Sequence, residues 1–249
     1  MVIKEMHSVY PISWILKSPA FVNFLTASLI HGYDEFLVAD LASGEHDRVP
    51  SFFIKILPEV LKLKEDTREI YVYSIDLHGL RLDSLLGKLE ESNLLDKARV
   101  VQAKLESMDQ DANLRPGMTE YIEKHPTTTI WLDDFLRSEN RFPLDCFDLG
   151  VFNNDVVGYM HEYYKSSSDV QLGLQKIHCL IRSGGLFIVT MPCSLFIVDN
   201  IVVLEKEGFT FLEGVDIDLS TEEVTFLKKN ADPKTMSRLG HYTILLFTL

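Results

Sequence analysis

Three apolar runs in this chain each end on polar residues, and helix-forming segments separate them. Phe36–Leu41 carries Asp40 into the small-residue turn Ala42-Ser43-Gly44, followed by Glu45. Glu69–Ile75 closes on Asp76, and Cys146–Phe152 closes on Asn153-Asn154-Asp155. Strands alternating with helices imply a mostly parallel sheet covered on both faces, because parallel strands need long crossovers and bury both sides. In such sheets ligands dock outside the carboxyl ends of the strands. A small-residue turn lets them approach the backbone, and the next helix turns its N-terminal N–H groups toward them.

The remaining segments extend the alternation. Pro19–Ile30 is expected to be a helix with proline in its first turn, stopped near Gly32. Pro50–Lys64 places Phe53, Ile56, Leu57, Val60 and Leu61 at helical spacing. Leu82–Leu95 is a second helix of the alternation. Two segments then compete for the third strand. Ala98–Leu105 lies at the right distance from Asp76, whereas β-branched Thr127–Leu132 ends on Asp133-Asp134 and lies at the right distance from Phe147. Whichever is not the strand belongs to an insertion of roughly thirty residues, within about 98–135. Ser107–Gly117 reads as polar and turn-rich, and Gly117–Lys124 as a short helix.

Further on, Ser168–Arg182 is expected to be a helix ended by Ser183-Gly184-Gly185, since glycine tolerates the left-handed conformation there. Leu186–Thr190 is a strand, Ser194–Glu207 a helix closed by Gly208, and Phe209–Ile217 a strand. Ser220-Thr221-Glu222-Glu223 has capping-box form and predicts a short helix. Tyr242–Leu249 is a final strand, expected to run antiparallel because no long apolar helix precedes it. The expected fold class is α/β: a Rossmann-like three-layer sandwich with a mostly parallel seven-stranded sheet and an antiparallel last strand. Residues 1–34 form an N-terminal helical addition to one domain, 35–249.

Composition narrows the partners. With 46% hydrophobic residues, the 249-residue chain can bury a sizeable core. Its net charge of −13 repels phosphate backbones, which disfavours nucleic acid and acidic membranes. Cys146, Cys179 and Cys193 form no CxxC pair, and no His-x-x-x-His occurs, so no metal site is expected. Leu186–Leu204 is the most apolar stretch, but Pro192, Asp199 and Asn200 interrupt it, so no membrane span is expected. Without a cleavable secretory pattern at the N-terminus, a cytoplasmic location is expected.

In its order of motifs the chain resembles the class I S-adenosylmethionine-dependent methyltransferases, from about Glu35 to Leu249. Leu37-Val38-Ala39-Asp40-Leu41-Ala42-Ser43-Gly44 is similar to the family's first motif, with Gly44 on the central glycine; the outer glycines of that turn are Ala42 and His46 here. Asp76 stands where the family's second acid binds ribose hydroxyls, followed by Leu77. Phe147–Asn154 matches the motif-IV strand. Leu180–Val189 resembles the approach to the fifth strand, and Leu204–Phe209 the approach to the sixth.

The resemblance implies S-adenosylmethionine as cofactor, held by Asp40, Ala42, Gly44, Asp76 and Leu77. Of the two third-strand segments, the one ending on Asp133, Asp134 and Phe135 is preferred for the adenine side. Asn153 would sit near the transferred methyl, and His161 or His78 could act as a base near neutral pH. The Asn- or Asp-Pro-Pro-aromatic motif of amino-methylating members is missing, since Asn153 is followed by Asn154-Asp155-Val156. The implied function is a methyltransferase acting on a small molecule or protein.

Two alternatives stay open. One is a non-catalytic methyltransferase-like binding or interaction protein. The other is an NAD-dependent oxidoreductase, which needs a Gly-x-Gly-x-x-Gly turn that Ala42–Asp47 does not supply. The oligomeric state has no readable signal.

Overall fold

The computed structural model describes residues 3–30, 35–63, 67–154, 156–163, 166–192, 197–228 and 239–249. Among them, nine strands form one sheet. They are β1 (Phe36–Leu41), β2 (Ile70–Asp76), β3 (Ala98–Ala103), β4 (Ala112–Leu114), β5 (Phe147–Phe152), β6 (Ile181–Met191), β7 (Thr210–Asp218), β8 (Val224–Leu227) and β9 (His241–Thr248). Their spatial order is β4-β3-β2-β1-β5-β6-β9-β7-β8. Neighbours β3, β2, β1, β5 and β6 pair in parallel. β9 is antiparallel to both β6 and β7. The short β4 and β8 pair antiparallel at the two edges. Inside those two edge strands lies the expected seven-stranded sheet with its last strand reversed.

The chain runs outward from β1 to β2 and β3, then returns to place β5 on the other side of β1. Strand order therefore reverses between β1 and β5, where Asp40 pairs in register with Val151 and Leu41 with Phe152. Side chains alternate across this pair with the two-residue period of a strand. Phe36 and Val38 face a core shared with Ile15, Phe21 and Leu25 of the N-terminal segment and with Phe52, Phe53 and Leu57. Leu37, Ala39 and Leu41 face the opposite core, which contains Leu132, Leu174, Ile177 and Leu204. All six β1 residues are buried, which is why the run reads as continuously apolar apart from Asp40.

The N-terminal segment folds as helix Ile3–Val9, 3-10 turn Pro11–Lys17 and helix Pro19–Ile30. The helical stretch after β1 begins at Arg48 and ends at Leu61, with a π-helical turn over Phe52–Ile56. Pro58 cannot donate a backbone hydrogen bond and crowds the turn before it, and the wider π turn absorbs that conflict. The expected stop at Gly32 and the residues Lys64, Asp155, Cys193 and Ser194 lie outside the described residues.

Four expectations are corrected. The third core strand is Ala98–Ala103; Thr127–Leu132 is not a strand. It forms a 3-10 turn, Pro126–Thr128, and the start of helix Trp131–Glu139. Pro126 opens the turn, and the Asp133 carboxylate accepts the Ile130 N–H at 3.1 Å, which caps the helix. Ser107–Gly117 is not wholly irregular, because β4 lies within it. Helix Ser167–Leu180 stops before Arg182, and Ser183-Gly184-Gly185 lies inside β6, where the pairing with β5 shifts register between Phe147 and Leu149. Finally, Ser220–Glu223 starts no helix. Asp218 accepts the Ser220 N–H at 2.8 Å and the Ser220 hydroxyl at 2.6 Å, a turn that folds β8 back on β7.

Candidate functional site

A cavity of about 850 Å³ opens at the carboxyl ends of β1, β2, β3 and β5, across the point where strand order reverses. Its lining includes Asp40 and the 42–46 turn after β1, Asp76, Leu77, His78 and Arg81 after β2, Ala103–Glu106 after β3, and Asn153 and Asn154 after β5. Open parallel sheets bind ligands at this position.

The turn after β1 is built by two left-handed residues, Ala42 with φ +53° and Gly44 with φ +63°. Glycine adopts that conformation freely, whereas an L-residue is strained there by roughly 1–2 kcal/mol. Ala42 thus holds the turn shape without glycine. Gly44 donates its N–H to Asp76 Oδ2 at 2.9 Å, which ties the end of β1 to the end of β2. The other Asp76 oxygen accepts the His78 N–H at 2.7 Å and starts helix Gly79–Glu91. A Cβ on Gly44 would meet nothing within 4 Å, so the turn backbone faces open space. Beside it, the buried Ser43 hydroxyl has no hydrogen-bond partner among the described residues.

Asp40 is 1% exposed, and among the described residues its one hydrogen-bond partner is the Ser74 hydroxyl at 3.1 Å. Burial raises its pKa to about 8 against the opposing effect of that hydrogen bond, and the neighbouring Asp76 charge adds to the rise. A buried acid with a strongly raised pKa in a cleft marks a candidate functional group. Behind the lining residues Asn153 and Asn154, the buried Thr190 at the end of β6 donates to Asn153 Oδ1 at 2.9 Å and accepts the Asn154 N–H at 2.9 Å.

Of the residues singled out from sequence, Asp40, Ala42, Gly44, Asp76, Leu77 and Asn153 converge on this cavity, and so does His78. His161 lies in helix Val156–Tyr163, but its side chain is outside the described residues. Asp133, Asp134 and Phe135 do not line the cavity. Asp133 is fully buried, paired with the equally buried Arg99 at 2.9 Å, and accepts the Tyr73 hydroxyl at 2.8 Å. Asp134 is exposed and lies 3.8 Å from Arg137, while Phe135 lies under the Arg141 guanidinium. The segment that lines the cavity is instead Ala103–Glu106, which follows the strand actually used. Sequence distance from Asp76 to Ala98–Leu105 carried that signal; the acids at 133–134 outweighed it. Arg81 also lines the cavity, and no motif singled it out.

No family model and no curated protein sequence matches the chain. Solved structures do match. A S-adenosylmethionine-dependent methyltransferase from Clostridium acetobutylicum superposes with TM-score 0.50 at 14% identity, over 95% of this chain and 89% of that one. A sarcosine dimethylglycine methyltransferase candidate from Galdieria sulphuraria superposes with TM-score 0.52 at 9% identity, over 95% of this chain and 84% of that one. At such identities the likeness is one of fold. With the reversed last strand, the switch between β1 and β5 and near-complete coverage, the chain has the fold of the class I S-adenosylmethionine-dependent methyltransferases.

Proposed function

We propose that the protein is a methyltransferase that binds S-adenosylmethionine in the cavity over β1, β2 and β5 and methylates a small molecule or a protein. The observation that carries this reading is the joining of Gly44 to Asp76 beside an incompletely partnered Asp40. The lining fits a cationic ligand: Asp40, Glu45, Asp76 and Glu106 outnumber Arg81 and Lys104. The turn backbone is open to approach at Gly44, and the Ser43 hydroxyl next to it still needs a partner.

When bound, the cofactor supplies an already activated methyl group on a sulfonium. The residues of the chain then have mainly to hold and orient. Asp76 would accept from ribose hydroxyls while its backbone donors keep the carboxylate fixed. Asp40 would meet the positive end of the ligand, and Leu77 and the Ala103–Glu106 segment would flank the base. Asn153 would face the acceptor.

Calorimetric titration of the full chain with S-adenosylmethionine, its demethylated product and NAD tests this. Binding of the first two, weakened in Asp76→Ala, is expected. Tight NAD binding alone would sink the proposal. Absence of binding by all three would favour a non-catalytic member, a reading that His46 supports by standing at the cavity wall in place of a glycine.

A further inference from the structure

The orientation of the Asn153 side chain is fixed by proton accounting. Thr190 is fully buried at the end of β6. Its hydroxyl oxygen accepts the Asn154 N–H at 2.9 Å, and Asn154 reaches it through a left-handed backbone with φ +71°. A backbone N–H can only donate, so the Thr190 proton must find an acceptor elsewhere. Asn153 Oδ1 lies 2.9 Å away and takes it. Turning the amide over would aim two donors at the Thr190 oxygen and leave the Thr190 proton only the Tyr242 oxygen to turn to. Tyr242 lies near Thr190, but its hydroxyl reaches hydrogen-bond geometry with no described group, whereas Asn153 Oδ1 does so at 2.9 Å.

Asn153 therefore spends its carbonyl oxygen on Thr190 and keeps its NH2 for the cavity that it lines. An NH2 group donates only, so it rejects an ammonium or amine N–H and selects a lone-pair acceptor. A carboxylate suits it best. One oxygen accepts from Asn153 while the other stays free to react, and the acceptor needs no base.

We propose that the Asn153 wall of the cavity is a carboxylate-recognising acceptor subsite, with Thr190 as its positioning residue; this rests on the methyltransferase reading above. The implied transfer balances without a proton. A carboxylate lone pair forms the new C–O bond, the C–S bonding pair stays on sulfur, and a neutral ester and a neutral thioether result.

The test is a nuclear magnetic resonance titration of the 15N-labelled full chain, with the Asn153 NH2 signals assigned through Asn153→Asp. The probes are benzoate and benzylamine, each added with and without the demethylated cofactor product. Benzoate is expected to move the Asn153 NH2 pair, and benzylamine is not. Thr190→Val removes the hydroxyl while keeping the shape, so it should lower the benzoate preference by about tenfold, the change expected for one lost hydrogen bond. Thr190→Ser should retain the preference. A response to benzylamine, a response to neither probe, or an undiminished preference in Thr190→Val overturns the proposal. Cofactor calorimetry on the same samples separates the two readings. Cofactor binding with a benzylamine response would overturn only the carboxylate subsite, and a benzoate response without cofactor binding would overturn only the methyltransferase.

Discussion

The two ends of the β1–β5 pair treat a buried acid in opposite ways. At the amino end, Asp148 on β5 accepts the Leu37 N–H at 2.7 Å and pairs with Arg68 at 3.0 Å and Arg182 at 2.5 Å. At the carboxyl end, Asp40 on β1 has one hydroxyl partner and a pKa raised to about 8. Both carboxyls are nearly inaccessible. Asp148 has its charge neutralised by side chains of the same protein, so it fastens the strands together. Asp40 has no such cation beside it, so burial holds its proton in place, and a cationic ligand there would favour the charged form. Asp133 belongs with Asp148: Arg99 and Tyr73 complete its hydrogen bonds and fix helix Trp131–Glu139 against β2 and β3.

The largest effect should come from breaking a completed pair. Asp133→Ala would leave Arg99 buried and unpaired, at a loss of about 3–5 kcal/mol. For a chain of this length that is a fall of roughly 10 °C in melting temperature, measurable by calorimetry, with cofactor affinity per folded molecule unchanged. If Asp133→Ala melted normally but lost cofactor binding, the division between fastening and binding acids would be wrong.

Next comes Asp76→Ala. It removes a charged acceptor from Gly44 and from the ligand, and charge-assisted hydrogen bonds contribute about 1.5–3 kcal/mol, so affinity for S-adenosylmethionine should drop roughly 10–100-fold. The measurement is calorimetric, and affinity within a factor of two of wild type would remove Asp76 from the site.

Asp40→Asn has a smaller and pH-dependent effect. Native Asp40 holds its proton up to about pH 8, whereas the unfolded chain releases it near the ordinary carboxylate value. The native state thus binds more protons in that window, and Asp40 withdraws stability as pH rises through it. Asp40→Asn should therefore gain stability relative to wild type between pH 5 and pH 9, read as a widening melting-temperature difference. In the wild type, binding of the cationic cofactor at pH 7 should release protons, seen as a buffer-dependent heat. A flat profile in both measurements would make Asp40 an ordinary structural acid.

The smallest change is expected from Ala42→Gly. Relief of left-handed strain, about 1–2 kcal/mol, is largely offset by the greater freedom of unfolded glycine, about 0.5–1 kcal/mol. Stability and cofactor affinity should both stay close to wild type, and a large gain in affinity would mean that alanine distorts the turn.

This contrast also explains what the sequence could reveal. Asp40, Gly44, Asp76 and Asn153 each sit at the end of an apolar run, and strand ends are readable from local pattern. Once the strands pair in parallel, those ends converge. The role of Asp133 was not readable in this way. Its partner Arg99 lies 34 residues earlier on a different element, and nothing local separates a saturated acid from one that waits for a ligand. The β-branched residues at 127–132 favoured a strand, but β3 already held the place beside β2. The Thr190–Asn153 hydrogen bond spans 37 residues and was equally hidden.

The position of β9 also governs how the protein is made. β9 follows β7 and β8 in the chain, yet it lies between β6 and β7 in the sheet. A chain emerging from the ribosome completes β6, paired with β5, and the β7–β8 hairpin first, and the two cannot be joined until His241–Thr248 appears. Until then the flanks of β6 and β7 are unpaired edges of the kind that recruit other chains. The final strand closes both at once, so a nascent chain stalled before it should be more prone to aggregate than the finished protein.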